Sequence, residues 1–114
     1  IKNLVIDLVH YRNEKIKTNL STYLSKYLRH DYSALSKLFS EKEGITIEHY
    51  FIAQKIEKAK ELLVYDELSL SEIAIQLNYS NVAYLSSQFK KVTGFTATQF
   101  KKMGDNTRKQ IDSL

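Results

Sequence analysis

The 114-residue chain has no cysteine, no proline and no tryptophan, and only three glycines. Without cysteine there are no disulfide staples, no thiolate metal site and no cysteine nucleophile. Without proline, and with glycine only at Gly44, Gly94 and Gly104, there are few of the turn residues that hairpins require. No apolar run approaches the roughly 18–20 residues needed to cross a bilayer. The opening stretch mixes Lys2, Asn3 and Asp7 with its apolar residues, which is not how a signal peptide reads. The first residue is Ile1, and the chain reads as a piece excised from a longer protein.

What remains is enough for one compact domain, because 43% of the residues are hydrophobic. Helical apolar spacing makes the expected fold all-α. The formal charge is +4, and its distribution says more than its size. Between Ile73 and Gly104 the only charged residues are Lys90, Lys91, Lys101 and Lys102. An acid-free basic stretch in a chain otherwise rich in Asp and Glu implies an electropositive surface, suited to a polyanionic partner or to plain solvation.

The most informative pattern is an internal echo at a spacing of 50 residues. Leu20-Ser21 recurs as Leu70-Ser71, and Leu35-Ser36 as Leu85-Ser86. Phe39, Gly44 and Thr46 recur as Phe89, Gly94 and Thr96. Seven identities in 31 residues exceed the roughly two that ordinary composition provides. Two copies of one helical unit explain them.

The second copy is the clearer. Ser69-Leu70-Ser71-Glu72 spells a capping box. It opens a short helix with Ile73, Ala74 and Leu77 facing inward. Asn78 stands at the turn, and asparagine tolerates the left-handed region. Ser80 and Asn81 offer a new N-cap for a helix over 82–93, with Leu85, Phe89 and Val92 as its buried stripe and Gly94 as its stop. Ala74 is small where two helices would cross closely, as a helix-turn-helix demands. The first copy predicts a helix over 20–28, a turn at Arg29-His30-Asp31 and a helix over 32–43, with Leu35, Leu38 and Phe39 inside. Between the copies one long helix is expected over 47–65. Its dry face carries Ile52, Ile56, Ala59 and Leu63, and its wet face Lys55, Glu57, Lys58, Lys60 and Glu61.

These residues resemble the AraC/XylS regulators. The resemblance rests on Lys55-Ile56-Glu57-Lys58-Ala59-Lys60-Glu61-Leu62-Leu63 in the linking helix, Ser71-Glu72-Ile73-Ala74 opening the second unit, and Asn78-Tyr79-Ser80-Asn81 at its turn. It continues through Tyr84-Leu85-Ser86-Ser87-Gln88-Phe89-Lys90-Lys91-Val92-Thr93-Gly94-Phe95-Thr96. It covers roughly residues 18–102. The family's turn glycine is Asn78 here, and its proline after the last turn is Ala97. Leu24 and Leu28 stand where the second unit has Ala74 and Asn78, a bulky pair for the first turn.

The resemblance implies two helix-turn-helix subdomains, about 1–46 and 67–103, joined by the linking helix at about 47–65 and followed by a short last helix and a tail at 104–114. It implies double-stranded DNA as the partner, regulation of bacterial transcription from the cytoplasm and nucleoid, and no cofactor. RNA polymerase is a further candidate partner, and oligomerisation is expected to lie in a domain outside these residues. Ser33, Ser36 and Lys37 in the first unit, and Val82, Ala83, Ser86 and Ser87 in the second, correspond to the family's base-reading positions. They sit opposite the two buried stripes. Lys37 can donate to guanine, while Val82 and Ala83 can only pack on thymine methyls. Tyr32, Thr46, Ser80, Asn81, Lys90, Lys91 and Thr96 are the phosphate candidates. Thr46 and Thr96 would present helix N-termini, although plain capping explains each equally well. A linking rod of ~27 Å would place the two readers near successive major-groove segments, whose repeat is ~34 Å.

Other readings are poorer. His10, His30 and His49 show no spacing suited to one metal ion. Asp66 and Glu67 read as a loop, and tyrosines such as Tyr11, Tyr23, Tyr27 and Tyr50 as core and rim packing. An enzyme would need a nucleophile–base pair, a glycine-rich phosphate loop or a metal set, and none is apparent. A protein-docking module would need apolar residues on the faces that carry serine, alanine and lysine.

Overall fold

The computed structural model describes residues 1–11, 19–65 and 68–112. Among these residues the regular structure is entirely helical, in the order α1 (Lys2–Ile6) with a π-helical continuation over Asp7–Tyr11, α2 (Leu20–Leu28), α3 (Tyr32–Glu43), α4 (Ile47–Tyr65), α5 (Leu70–Gln76), α6 (Val82–Thr93) and α7 (Ala97–Asp112). The chain divides into two compact units, Ile1–Gln54 and Lys55–Leu114, with the division falling inside α4. The expected loop at Asp66 and Glu67 lies outside the described residues.

The unit containing α1 to α3 is built on Leu8, Tyr23, Leu24, Leu35, Phe39 and Ile47, with Leu4, Leu20, Leu28, Tyr50 and Phe51 packed around them. Tyr23 stacks obliquely on the half-exposed Tyr27, ring centroids 4.7 Å apart. The helix over 2–11 has no counterpart in the sequence expectations. It buries Val5, Leu8 and Val9, and His10 Nε2 meets Gln54 Oε1 at 2.9 Å, which ties it to the first part of α4.

In the other unit Ile56, Ala59, Leu62, Ile73, Ala74, Leu85 and Phe89 are all essentially inaccessible. α5 begins with the expected capping box. The Glu72 N–H donates to Ser69 Oγ, and the Ser69 N–H donates to Glu72 Oε1, both at 3.2 Å. Asn81 caps α6 by accepting the Tyr84 N–H at 2.8 Å. α3 and α6 both end on a left-handed glycine, Gly44 and Gly94, whose N–H returns to the Ser40 or Lys90 carbonyl. The 50-residue echo extends to burial: the pattern of buried and exposed positions over 41–50 repeats position for position over 91–100.

Three expectations are corrected. Leu38 and Val92 are not in the buried stripes; they are 64% and 49% exposed. At about 100° per residue, Val92 lies about 20° behind Leu85 and about 60° from Phe89, on the trailing edge of the stripe. Leu38 falls short on the same side of α3. Lys55 does not lie on a wet face: its ammonium sits 4.5 Å from the Tyr79 ring centroid, and burial lowers its pKa from the ordinary lysine value. Finally, α7 is not short. It runs through Gly104 to Asp112, and Gly104 is a point of close approach inside it. A Cβ there would meet Val64 Cγ2 at 3.0 Å.

The bulky pair Leu24 and Leu28 does alter the first turn. Leu28 stays helical, and the left-handed residue is Arg29 (φ 54°, ψ 37°). In the other unit it is Asn78 (φ 65°), which is one position earlier in repeat register. Arginine gains nothing from this conformation, which costs an L-residue roughly 1–2 kcal/mol. Arg29→Gly is therefore expected to raise the denaturation midpoint of the chain by the equivalent of up to about 1 kcal/mol, part of the relief being offset by the entropy of a new glycine. A lowered midpoint in a urea titration would contradict this reading of the turn.

Candidate nucleic-acid interface

The caps and glycine stops that fix α6 also set which of its residues face outward. With Leu85 and Phe89 buried, Ala83, Ser87, Lys90 and Lys91 are exposed, and Val82 and Ser86 are half-buried. Val82 and Ser86 thus flank the buried stripe and do not oppose it. The start of α7 folds back beside this surface. Together they form an open groove lined by Leu70, Ser86, Ser87, Lys90, Lys91, Thr96, Ala97 and Thr98. Five candidates taken from the sequence, Ser86, Ser87, Lys90, Lys91 and Thr96, therefore share one concave surface. Ser80 and Asn81 are exposed at the head of α6.

Thr96 forms a capping box of its own. The Gln99 N–H donates to Thr96 Oγ1 at 3.1 Å, and the Thr96 N–H donates to Gln99 Oε1 at 2.9 Å. Thr46 likewise accepts the His49 N–H at 3.1 Å. Both threonines are thus engaged as caps. Any anion they attract would be held by the other exposed N–H groups of the first helical turn.

Thr98 was missed from the sequence. Its only signal there is its position two residues after the Thr96 cap. Also missed is the network that fixes α6 to its turn. The Tyr79 hydroxyl donates to Gln88 Oε1 at 2.7 Å, and Gln88 Nε2 donates to the Tyr84 hydroxyl at 3.1 Å. Burial and the neighbouring Tyr84 push the Tyr79 hydroxyl up to about 12, so it remains a donor at neutral pH. Tyr79 is buried, packed between Lys55 and Tyr84, and clamps the angle at which α6 leaves the turn.

In the unit containing α3, Ser33 and Lys37 are exposed and Ser36 is half-buried on the flank. A shallow groove at the head of α3 is lined by Ser21, Thr22, Ser25, Lys26, Asp31 and Tyr32. Tyr32 is the phosphate candidate least suited to its role. Its hydroxyl donates to the Glu48 carboxylate at the start of α4. Burial first, and then that bond, raise the Tyr32 pKa above the ordinary tyrosine value. The same bond lowers the pKa of Glu48 below the usual carboxylate range. A carboxylate held there opposes a phosphate.

No helix among the described residues is long and apolar enough to cross a membrane, and no group of three potential ligands there could hold a metal ion.

Two helix-turn-helix units of this form, α2–α3 and α5–α6, define a tandem helix-turn-helix protein. A family model described as a helix-turn-helix domain matches residues 24–103. The chain is similar to an uncharacterized HTH-type transcriptional regulator of Staphylococcus aureus, at 35% identity over 78 residues, covering 68% of this chain and 10% of that protein. It is also similar to the xylose operon regulatory protein of Escherichia coli K12, at 34% identity over 98 residues, covering 85% of this chain and 25% of that protein. Among solved structures it resembles the C-terminal domain of the two-component response regulator yesN from Fusobacterium nucleatum, at 32% identity and a TM-score of 0.73, covering 88% of this chain and 96% of that one. The chain belongs to the AraC-type helix-turn-helix family. It spans between a tenth and a quarter of the length of these two curated relatives.

Proposed function

We propose that this chain is the part of a bacterial transcription regulator that reads double-stranded DNA, with α3 and α6 entering successive major-groove segments. The observation that carries this reading is the groove uniting Ser86, Ser87, Lys90, Lys91 and Thr96. Hydroxyls for base edges lie there beside lysines for phosphates, and no acid intervenes between Ile73 and Gly104. Most of the affinity then comes from the phosphate backbone. Selection comes from few base contacts, Lys37 the strongest of them, together with DNA shape. Ser33, Ser36, Val82, Ala83, Ser86 and Ser87 complete the base-facing set. Ser80, Asn81, Lys90 and Lys91, with the helix start at Thr96, form the phosphate-facing set, whereas at the Thr46 start the Glu48 carboxylate opposes an anion.

The chain carries no catalysis of its own in this reading and works in the cytoplasm on the nucleoid. Contact with RNA polymerase, and any oligomerisation, belong to the parent protein. The exposed apolar residues Leu38 and Val92 lie off the polar faces, which favours DNA over a protein partner for those faces.

The test compares Lys37→Ala with Lys91→Ala across a panel of duplexes. Lys37→Ala is expected to relax preference at one base position, at a cost of about 1–3 kcal/mol on the preferred sequence, whereas Lys91→Ala weakens all sequences alike and lowers the salt slope by about 1. Equal, sequence-blind losses from both would remove Lys37 from the base-reading set.

A further inference from the structure

The two units are copies in sequence and in burial, yet the surfaces they would offer to DNA differ in charge. Over 81–98 the charged residues are Lys90 and Lys91, a net of +2. Over the corresponding 31–48 they are Lys37 and Lys42 against Asp31, Glu41, Glu43 and Glu48, a net of −2. The differences fall at the positions that matter. Lys91 and Thr98 line the groove beside α6, and 50 residues earlier stand Glu41 and Glu48. Lys90 is matched by Ser40, and the Asn81 cap by Asp31, which makes no side-chain cap bond. Glu43 is paired with Lys2 at 2.7 Å, and Lys26 lines the groove beside Asp31. That leaves Glu41, exposed on α3, and Glu48, held by Tyr32.

Resting on the DNA-reading function above, we propose that the units divide the work. The α5–α6 unit is the sequence-blind electrostatic anchor, and Glu41 and Glu48 repel phosphate from the α2–α3 unit. That unit settles only where its base contacts, led by Lys37, overcome the repulsion. An acid near a phosphate penalises every site by a similar amount, so it leaves the ratio between sequences largely unchanged and decides instead whether the α2–α3 unit engages a duplex that offers no compensating contact. Glu48 is suited to this because the Tyr32 hydroxyl fixes its carboxylate in place.

The test measures fluorescence anisotropy of the chain with two labelled duplexes, one of random sequence and one enriched from a random pool, over a range of salt. Glu41→Gln/Glu48→Gln is expected to tighten binding to the random duplex roughly tenfold, because the α2–α3 unit can then settle on it, and to tighten the enriched duplex by at least as much. Glutamine at 48 still accepts from Tyr32, and circular dichroism checks the fold. Glu41→Gln alone, remote from that bond, is expected to give part of the same effect. Lys90→Ala/Lys91→Ala is expected to weaken both duplexes equally and to lower the salt slope by about 2. Unchanged random-duplex binding in the glutamine variants, or a gain there that exceeds the gain on the enriched duplex, overturns the division of labour while leaving the DNA-reading function intact. Wild-type chain that binds neither duplex overturns that function itself.

Discussion

Affinity of this chain for duplex DNA is expected to fall roughly 12-fold as monovalent salt rises from about 50 to about 200 mM. The figure follows from counterion release. Each phosphate neutralised by a lysine contributes a slope of about −0.9 in the log–log plot of affinity against salt. Lys90 and Lys91 are the lysines assigned to phosphate, which gives about −1.8 in total. The overall charge of +4 would suggest a steeper dependence, but only lysines that meet phosphate count. The location of the lysines, and not their number in the chain, sets the value. A flat titration would mean that the acid-free surface of α6 does not meet phosphate.

The second large effect is on stability. Phe89 is completely buried, and its ring stands edge-on to Phe100 with centroids 5.6 Å apart. Phe89→Ala removes that ring from between α6 and α7 and is expected to cost about 3–5 kcal/mol. Native domains hold only about 5–15 kcal/mol in all, and a unit of this size sits toward the lower end. The variant should therefore lose most of the cooperative structure of its unit, and DNA binding with it. Val92→Ala, one turn away and half-exposed, should shift the midpoint by less than about 0.5 kcal/mol. A urea titration followed by tyrosine fluorescence separates the two. Comparable losses from both would restore Val92 to the core.

The helices legible in advance were those with chemical punctuation. Ser69 and Glu72, Asn81 and Gly94, and Gly44 each pin a boundary through a local hydrogen bond or a left-handed residue, so α3, α5 and α6 could be read one turn at a time. The helix over 2–11 carries no such mark. Its N-cap is Ile1, which makes no side-chain cap bond, and its place depends on packing and on Gln54, more than forty residues away. The expected tail begins at Gly104, and only the closeness of Val64 reveals why a glycine stands inside α7. Leu38 and Val92 are apolar but point away from the stripes that Phe39 and Phe89 define.

The site divides in the same manner. Ser86, Ser87, Lys90 and Lys91 lie on one stretch of α6 and could be found by periodicity, and the repeat register brought Thr96 with them. Thr98 and Leu70 join that groove only through the fold. The Tyr32–Glu48 bond spans two helices and 16 residues, and nothing in the local sequence of either residue announces it. Lys55 was read as solvated because its neighbours on α4 are charged. Its place over Tyr79 depends on a turn more than twenty residues later.

Selection of bound duplexes from a random pool asks whether the two duplicated readers act together on one duplex. The expected result is a two-part motif, its halves centred about one helical turn (~10 bp) apart, with preference at one base position of the half-site read by α3 relaxing in Lys37→Ala. A single short motif with no second part, or a bound pool no different from the input, would contradict it.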